Sequence, residues 1–557
     1  MERRDLLKFA TSSALFYVSG CANGKFFGGV KNTPTSFLSA EELARYSPMN
    51  RLRDSEKVNG FTGDDPHTAH QILWDKETFI TSKGGLPDEI EDASVVIIGG
   101  GISGLIAAHE LAHLNPILLE QANRFGGNSK GETWEGLDYS LGAAYLTRPY
   151  PETRLDHFLK DVGANEIMRV KSDENGVIFQ KKIIEHFWQG ETLTKKSDKE
   201  ALQKLSRYFD NMFKGENGIV FPDVPIENEN LRDYINTLDN LSFHEHISAV
   251  LGGVLHPHIE TLLEYYCWSS FGGSAKEISA ATALNFFVGE MGEVLVPRGG
   301  NAGVAEKVFL SLSSKVPAKN LRPNSLVFDV NHKENNVEIS YVDEKEVVKT
   351  IRAKYVIMAC PKFVVGKILN NIEDERLNLI NHLKYRSYLV ANILLKKPNK
   401  LPYYDLFLMG DGKAKKVKEA RATDVVIANF ADQDSDNTVL TLYRSFPHEN
   451  ARKALLHEGA HDKYLQEFKN QFAEFREVLG FKEEDVLEFR LTRWGHPIPL
   501  SEKGLIANGA IEKLIAPFGE RVFFADQDNW MLPCFETCAF EAFRVADIIK
   551  EKMRFNV

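Results

Sequence analysis

Cysteine is scarce in this chain of 557 residues, which contains only five copies. They stand at Cys21, Cys267, Cys360, Cys534 and Cys538. So few thiols in so long a chain exclude a small scaffold stapled by disulfides. Cys534 and Cys538 are four residues apart and can share one face of a helix, so a redox pair and two ordinary buried thiols both remain open.

Basic tracts and internal repeats are also missing. The net charge is −11 and no basic run follows the N-terminus, which argues against a nucleic-acid partner. The apolar stretch at residues 9–18 is too short and too polar to span a bilayer as a stable helix. With 43% hydrophobic residues, the chain has the composition of a globular protein.

A metal-ligand set is absent from the sequence as well. Two His-x-His pairs, His244/His246 and His256/His258, would place both rings on one face if they lay in strands. Their surroundings are instead typical of helix or loop, and no carboxylate or cysteine stands at a diagnostic spacing. We therefore expect capping or surface histidines and no metal.

Residues 94–129 are the most informative part of the chain and have the pattern of a dinucleotide-binding unit. The apolar block at residues 95–98 is typical of a parallel strand that is buried on both faces. Gly99, Gly101 and Gly104 follow in G-x-G-x-x-G spacing. This spacing permits a sharp turn, a close approach of the backbone to a pyrophosphate and tight helix packing.

Two further features of this unit support a bound dinucleotide. The helix that begins beside Ser103 points its N–H groups and its positive dipole end at the phosphates. The following strand ends at Glu120, where an acid is expected to accept hydrogen bonds from ribose hydroxyls.

The segment after this acid favours FAD over NAD. Residues 124–129 read R-x-G-G-x-S, which resembles the second glycine motif of the flavin-containing amine oxidoreductase family. That family includes monoamine and polyamine oxidases, protoporphyrinogen oxidase and phytoene desaturases. The resemblance assigns Arg124, Gly126, Gly127 and Asn128 to the cofactor. The family usually has Arg in place of Asn128, so we expect one phosphate-facing contact to differ.

Other segments extend the resemblance through residues 93–557. It assigns to the cofactor Gly142 and Ala143 beside the flavin ring, Val327 at the adenine, Asp526 at the ribityl chain, and Glu536 at the start of a helix aimed at the flavin. The S-G-G-C-Y segment that links flavin covalently in monoamine oxidases does not occur. We therefore expect non-covalent FAD.

The resemblance implies an α/β fold, with a discontinuous Rossmann-like FAD-binding domain and an interleaved α+β substrate domain. The FAD-binding domain is expected to comprise residues 93–165, 296–365 and 490–557. The substrate domain is expected to fill the gaps, at residues 166–295 and 366–489.

The N-terminus resembles an export signal. Residues 3–8 resemble a twin-arginine motif, and residues 18–21 resemble a lipobox that ends at Cys21. We expect residues 1–21 to be a signal, with Cys21 lipidated on the periplasmic side of a membrane, and residues 22–92 to be a tether and an extension packed on the body. The alternative is a chance basic N-terminus with a stray cysteine.

Aromatic side chains are the best candidates for contact with a substrate. A flavin accepts hydride at N5, so the protein supplies orientation, exclusion of water and local electrostatics. Trp494 and Trp530 are expected near the flavin, whereas Tyr266 and Trp268 are expected in the substrate domain. Each is otherwise a large core side chain.

Amine oxidases of this family have a lysine that a water molecule bridges to flavin N5. In this chain Asn392 aligns with that lysine, and Lys384 or Lys396 could serve instead. If Asn392 has this place, C–C desaturation gains support over C–N oxidation.

Three functions follow from the resemblance. The favoured one is an FAD-dependent oxidoreductase that takes hydride from an amine or another small C–H donor and passes electrons to O2 or a quinone. The second is a carotenoid or tetrapyrrole-type desaturase that reduces a membrane quinone. The third is a non-catalytic protein with the flavin-binding fold.

Overall fold

The computed structural model describes residues 36–51, 57, 60–171, 176–412, 421–432, 434–446 and 450–554. The signal expected at residues 1–21, its Cys21 and the tether up to residue 35 lie outside the described residues.

The described residues contain the following α-helices: α1 (Ala40–Tyr46), α2 (His67–Leu73), α3 (Lys76–Ser82), α4 (Ile102–Glu110), α5 (Arg154–Asp161), α6 (Lys196–Lys214), α7 (Arg232–Asp239), α8 (Phe243–Leu251), α9 (Pro257–Phe271), α10 (Ala280–Gly289), α11 (Asn301–Ser313), α12 (Lys362–Ile368), α13 (Asp374–His382), α14 (Ala451–Leu456), α15 (Ala460–Phe475), α16 (Ala510–Ile515) and α17 (Phe535–Arg554).

They also contain the following strands: β1 (Met49–Asn50), β2 (Thr62–Gly63), β3 (Ile90–Ile98), β4 (Ile117–Leu119), β5 (Gly131–Trp134), β6 (Leu137–Ser140), β7 (Leu146–Thr147), β8 (Met168–Lys171), β9 (Gly176–Phe179), β10 (Lys182–Ile184), β11 (Val294–Pro297), β12 (Leu321–Arg322), β13 (Leu326–His332), β14 (Val337–Val342), β15 (Val348–Met358), β16 (Tyr385–Leu395), β17 (Asp405–Gly410), β18 (Asp424–Ile427), β19 (Thr438–Phe446), β20 (Val486–Pro499) and β21 (Val522–Phe524).

A seven-stranded sheet contains the expected dinucleotide-binding unit. Its strand order is β12-β4-β3-β15-β14-β13, and β21 pairs with β15 outside that path. Strand β3 is parallel to both β4 and β15, and α4 connects β3 to β4. The Rossmann-like arrangement predicted from the glycine spacing is therefore confirmed.

The end of strand β3 is buried on both faces, as its apolar block predicts. Val95 and Ile97 belong to an apolar cluster that includes residues of α4, α11 and α17. Val96 and Ile98 belong to another, which includes residues of β14 and α12. Since helices cover one face of this sheet, the glycine turn after β3 is held firmly at the end of the strand.

An eight-stranded sheet, β10-β9-β17-β18-β19-β16-β20-β2, forms the second layer of the molecule. Leu389, Ala391 and Ile393 of β16 pack in one apolar cluster with Phe468 and Phe472 of α15. Because side chains alternate across a strand, the residues between them face the opposite side. Helices α6–α10 form a separate apolar lobe around Phe209, Phe243 and Phe271.

The strands of the seven-stranded sheet come from separated parts of the chain, whereas β9, β10, β16–β19 and the helical lobe come from the parts between them. The exact domain boundaries given above stay a prediction. Within the described residues, no helix combines the length and the apolar character needed to cross a membrane.

Candidate active site and cofactor cleft

A cleft of about 1170 Å³ lies where the two large sheets meet. Ile98, Leu119 and Ala359, at or just after the carboxyl ends of β3, β4 and β15, contribute to its lining. Open α/β sheets bind ligands at this edge. The volume exceeds the roughly 300–1,000 Å³ typical of a single small-ligand site. The cleft therefore has room for a dinucleotide and a substrate together.

The first glycine motif needs its glycines for close packing. A Cβ on Gly104 would lie 1.9 Å from the Gly99 carbonyl oxygen, so only glycine lets α4 approach the strand this closely. Gly99 itself has a φ of +111°, which side chains rarely adopt. At Gly101 the helix begins without a side-chain cap from any described residue, which leaves its N-terminus suited to a phosphate.

The second glycine motif lies directly against the first. The Gly126 N–H donates to the Gly100 carbonyl at 2.8 Å. A Cβ on Gly127 would lie 2.9 Å from the Gly101 Cα atom. Two stretches of bare backbone thus form one wall of the cleft, an arrangement that the sequence spacing does not reveal.

Glu120 lies in the cleft wall, and its carboxylate has two internal donors. Oε2 accepts the Gly100 N–H at 2.7 Å, and Oε1 accepts the Ala122 N–H at 2.8 Å. These bonds orient the carboxylate, and each oxygen retains a further lone pair. This geometry fits the expected bonds from ribose hydroxyls.

Arg124 and Asn128 both line the cleft and also hold its loops together. The buried Arg124 donates through Nη1 to the Pro48 carbonyl at 2.6 Å and to the Gly131 carbonyl at 3.2 Å. Asn128 donates through Nδ2 to the Pro497 carbonyl at 2.9 Å.

The expected ring end of the cleft is formed by Gly142, Ala143 and Trp494. A Cβ on Gly142 would lie 2.2 Å from the Asn128 carbonyl oxygen. Trp494 is buried, and its Nε1–H donates to the Leu141 carbonyl at 2.8 Å. The indole is thus a fixed part of the wall.

Val327, Asp526 and Glu536 complete the set of lining residues that the family resemblance suggested. Asp526 Oδ1 accepts the Asp528 N–H at 2.7 Å, and burial raises the pKa of Asp526 well above its usual range. Glu536 accepts the backbone N–H and the hydroxyl of Thr147, each at 2.6 Å. The glycine backbone, the carboxylates and the volume together fit FAD.

The structure places two of the three catalytic candidates outside this lining. Asn392 is buried, donates to the Ser140 carbonyl at 3.0 Å and accepts the Thr441 hydroxyl at 2.7 Å. Asn392 lies on the same face of β16 as Val390, which lines the cleft. It is two residues further along the strand, however, where the Ser140 end of the β5–β6 hairpin covers that face. Trp530 donates to Glu541 at 2.9 Å in a buried network.

The other side chains suggested for this role are also distributed differently. Tyr266 lines the cleft, but Trp268 does not, and its Nε1–H donates to Glu264 at 3.2 Å. Lys384 pairs with Glu502 at 2.7 Å, and Lys396 is exposed. Neither lysine lines the cleft.

One face of the eight-stranded sheet forms the inner wall of the cleft. Asp405 is paired with Val426, and Asp424 is paired with both Phe407 and Tyr443. Paired residues face the same side of a sheet, and these five line the cleft. Neither aspartate was predicted from the sequence. The pattern that could have identified them is an acidic residue at the start of each of two otherwise apolar strands.

Three carboxyl groups lie at this wall in a setting that favours their neutral forms: Asp405 and Asp424 on the sheet, and Glu290 just after α10. Glu290 accepts bonds from the hydroxyls of Tyr145 and Tyr266, the latter at 3.0 Å, and burial raises its pKa to about 7. Burial also raises the pKa of Asp424 to about 6. Burial and then the Asp424 charge raise the pKa of Asp405 well above its usual value.

Two polar atoms in this region have no hydrogen-bond partner among the described residues. They are Asp405 Oδ1 and the hydroxyl of the buried Tyr404. Lys171 also lines the cleft, and its positive charge opposes part of the rise that burial causes in the pKa values of Asp405 and Glu290. Acceptors therefore outnumber cations at this wall.

Among the residues that the structure describes, the cysteines and the paired histidines noted in the sequence can each be placed. The described cysteines are free thiols, and both Cys534 and Cys538 line the cleft. Among the described residues, no group of three or more His, Cys, Asp or Glu side chains could hold a metal ion. His246 shares a 2.8 Å hydrogen bond with the Tyr208 hydroxyl, and His256 Nδ1 accepts the His258 N–H at 3.1 Å.

Comparison with known proteins agrees with this geometry. The chain is 22% identical over 544 residues to oxidoreductase PigB of Serratia sp. (strain ATCC 39006), an alignment that covers 86% of this chain and 79% of PigB. A structure of putrescine oxidase bound to putrescine superposes with a TM-score of 0.58 at 18% identity, and covers 83% of this chain and 100% of that one. Cyclohexylamine oxidase from Brevibacterium oxydans IH-35A gives a TM-score of 0.59 at 16% identity, with the same coverage.

A family model extends these similarities to most of the chain. The model that matches is that of the flavin containing amine oxidoreductases, and the match spans residues 102–534. It includes the helix after the first glycine turn, the second glycine motif and Asp526. This protein belongs to the flavin-containing amine oxidoreductase family and is an FAD-dependent oxidoreductase.

Proposed function

We propose that the protein oxidises a small amine, which binds as its cation, loses the ammonium proton to a carboxylate of the cleft wall or to water, and then gives up a hydride from the carbon next to the nitrogen. The observation that carries this proposal is the carboxyl-rich wall formed by Glu290, Asp405 and Asp424. Bound non-covalently, FAD would supply the two-electron acceptor for this hydride, the deprotonated amine would leave as an iminium ion, and O2 or a quinone would take the electrons onward.

The three carboxyl groups explain why an ammonium ion suits this cleft. A buried carboxylate is costly unless a cation or hydrogen-bond donors accompany it. An ammonium group brings one positive charge and up to three donors, which can meet Asp405 Oδ1 and the Tyr404 hydroxyl. A polyene brings no donors and would leave these groups desolvated, so the wall favours an amine over a carotenoid-type substrate.

The tyrosines of the wall support the same substrate class. Tyr443 donates to the Gly142 carbonyl at 2.8 Å, and Tyr388 donates to the Trp268 and Ser269 carbonyls at 2.5 Å. Their rings are therefore fixed in place. A cation that lies against such a ring gains about 0.5–2 kcal/mol. Two of the similar structures, putrescine oxidase and cyclohexylamine oxidase, are named for amine substrates.

A substrate screen tests this proposal directly. The flavin-loaded protein is mixed anaerobically with monoamines, diamines, a polyene and a porphyrinogen, and the loss of the oxidised-flavin absorbance is followed by stopped flow. We expect amines to bleach the flavin. Bleaching by the polyene or the porphyrinogen alone would identify a desaturase-type enzyme, and a preparation that holds no flavin would identify a non-catalytic relative.

Glu290 gives the screen a pH signature. Its carboxyl is neutral below a pKa of about 7 and charged above it, so kcat/KM for an amine should rise with pH up to about 7 and then level off. In the variant Glu290→Gln this rise should move to lower pH, toward the Asp424 pKa of about 6. The variant should also lose about 10- to 100-fold of kcat/KM at pH 8, which corresponds to the loss of one charge-assisted hydrogen bond. Glu293→Gln is the matched control, because Glu293 is half exposed and pairs with Arg148. An unchanged pH profile in Glu290→Gln would contradict this role.

We further propose that the protein is exported by the twin-arginine route and anchored through a lipid on Cys21, as the N-terminal motifs imply. Such an anchor would hold the enzyme at the periplasmic membrane surface, where a membrane quinone is within reach.

A further inference from the structure

We infer that the N-terminal extension forms the outer wall of the cofactor site and retains the adenosine half of FAD. The segment concerned is residues 60–83, which we call the strap. It precedes residue 102, where the match to the family begins. The inference requires FAD as the cofactor but does not depend on an amine as the substrate.

The first attachment of the strap is to the eight-stranded sheet. Strand β2 pairs in parallel with β20, with Thr62 opposite Thr492 and Gly63 opposite Arg493. The two threonine hydroxyls share a buried 2.7 Å hydrogen bond. Gly63 has a φ of +96°, and a Cβ there would lie 2.4 Å from the Arg493 carbonyl oxygen. The close contact therefore requires glycine.

Asp64 continues this attachment beside the ring end of the cleft. Its N–H donates to the Arg493 carbonyl at 2.9 Å, and its Oδ2 accepts the Gly495 N–H at 2.7 Å. The two bonds flank Trp494, which lines the cleft. One end of the strap is thus tied to the backbone around a cleft residue.

The second attachment is to the seven-stranded sheet. Ile72 belongs to a small apolar cluster with Leu326 and Phe328 of β13, and Phe79 lies edge-on to Phe328 with ring centroids 5.2 Å apart. Next to this cluster, the Lys76 ammonium pairs with Asp329 at 2.9 Å and bonds to Asn370 at 2.6 Å.

Because the two attachments are on different sheets, the part of the strap between them crosses the cleft. The strap contributes to the cleft lining Gly63, Asp64, Asp65, Pro66, Thr68, Ala69, His70, Gln71, Ile72, Leu73, Phe79 and Lys83. An extension that merely packed on the surface would not supply this many lining residues.

The second attachment lies at the adenosine end of the cleft. Leu326 of the apolar cluster precedes Val327, and the Ser325 N–H donates to the Glu120 carbonyl at 2.8 Å. In dinucleotide-binding folds the acid in the position of Glu120 marks the adenosine ribose. The helix α2 therefore covers the nucleotide, and its release requires the strap to detach.

Two strap variants and one control test this inference. Gly63→Val should weaken the first attachment through its contact with Arg493, and Ile72→Asp should weaken the second by placing a charge in the apolar cluster. Thr81→Ala is the control, because Thr81 is exposed on α3, bonds within its own helix and does not line the cleft. Release of FAD is followed by flavin fluorescence after dilution. We expect both strap variants to release FAD at least tenfold faster than the wild type and Thr81→Ala.

A second measurement uses the unaltered protein, so that it stands even if a variant folds poorly. Hydrogen exchange of the amides at residues 62–73 should slow when the apoprotein binds FAD or ADP, but not when it is given riboflavin, which lacks adenosine. Equal rates of FAD release in all the proteins, or a rate of amide exchange in the strap that does not change when ADP binds, would overturn the inference. A protein that holds FAD behind the strap yet bleaches with no amine would instead contradict only the proposed substrate.

Discussion

The Glu132 carboxylate is fully buried and accepts hydrogen bonds from Arg490 and Tyr139. Arg490 donates to it through Nε at 2.6 Å and through Nη2 at 2.8 Å, and the Tyr139 hydroxyl donates at 2.6 Å. These bonds join the β5–β6 hairpin, which leads into the Gly142 loop, to strand β20. At the scale of single residues, this ion pair therefore holds the ring end of the cleft against the inner wall.

Removing Glu132 should be costly, because the buried Arg490 loses two charge-assisted bonds and keeps the longer 3.2 Å pair with Glu488. We expect Glu132→Ala to lower the free energy of unfolding by about 1.5–3 kcal/mol, measured by chemical denaturation. Asp210→Asn removes an exposed pair with Lys214 and should leave the stability almost unchanged. Similar losses in both variants would show that the Arg490 pair adds nothing beyond a surface ion pair.

At the scale of elements, the cofactor cleft depends on how closely α4 lies against the end of β3. The helix approaches the turn so closely that Gly104 has no space for a side chain. Helices α11 and α17 pack in the same apolar cluster as α4, so the helix cannot move away without disturbing them. The pyrophosphate position and the packing of three helices are thus coupled.

We expect Gly104→Ala to cost about 1–3 kcal/mol or more through overpacking and to purify with much less FAD than the wild type. Gly253→Ala is the matched control, since nothing lies within 4 Å of a Cβ at Gly253. The loss of FAD is measured from the ratio of flavin absorbance to protein absorbance. The loss of stability is measured from the melting temperature. Full flavin content in Gly104→Ala would refute the packing argument.

At the scale of the whole molecule, the cofactor cleft is bounded both by the body and by the strap, residues 60–83. Strands from separated parts of the chain must assemble before the cleft exists. Under the export route that we propose, a protein of this kind is best loaded with flavin before it crosses the membrane. The twin-arginine route, which exports folded proteins, suits that order of events.

Export and anchoring can be tested with the wild type, two variants and one control of the full chain. In cells fed a tagged fatty acid, we expect the wild type to be labelled and to fractionate with membranes, while Cys21→Ala remains unlabelled and soluble. Changing Arg3 and Arg4 to lysine should leave the protein in the cytoplasm with its flavin bound. Cys267→Ala is a control, because Cys267 is buried in the described structure. Labelling that persists in Cys21→Ala would contradict the proposed anchor.

The dinucleotide-binding unit could be predicted because its signals lie close together in the chain. Gly99, Gly104 and Glu120 belong to one strand–helix–strand segment, in which local spacing already specifies the turn and the acid. The structure confirms that segment, and the later family motifs at Gly142 and Asp526 also reach the cleft. The position of Asn392 was harder to predict, because the hairpin that covers it comes from residues far away in the sequence.

The sequence by itself determined the nucleotide-binding turn, the family and the expected cofactor, since these depend on backbone geometry encoded over a few dozen residues. Only the tertiary structure decided which side chains meet around the substrate. Glu290, Asp405 and Asp424 come from separate elements, and strand register alone turns both aspartates toward the cleft. The strap likewise acquires its place through pairing with β20 and packing on β13. Such contacts join residues that are far apart in the sequence, so no local sequence pattern predicts them.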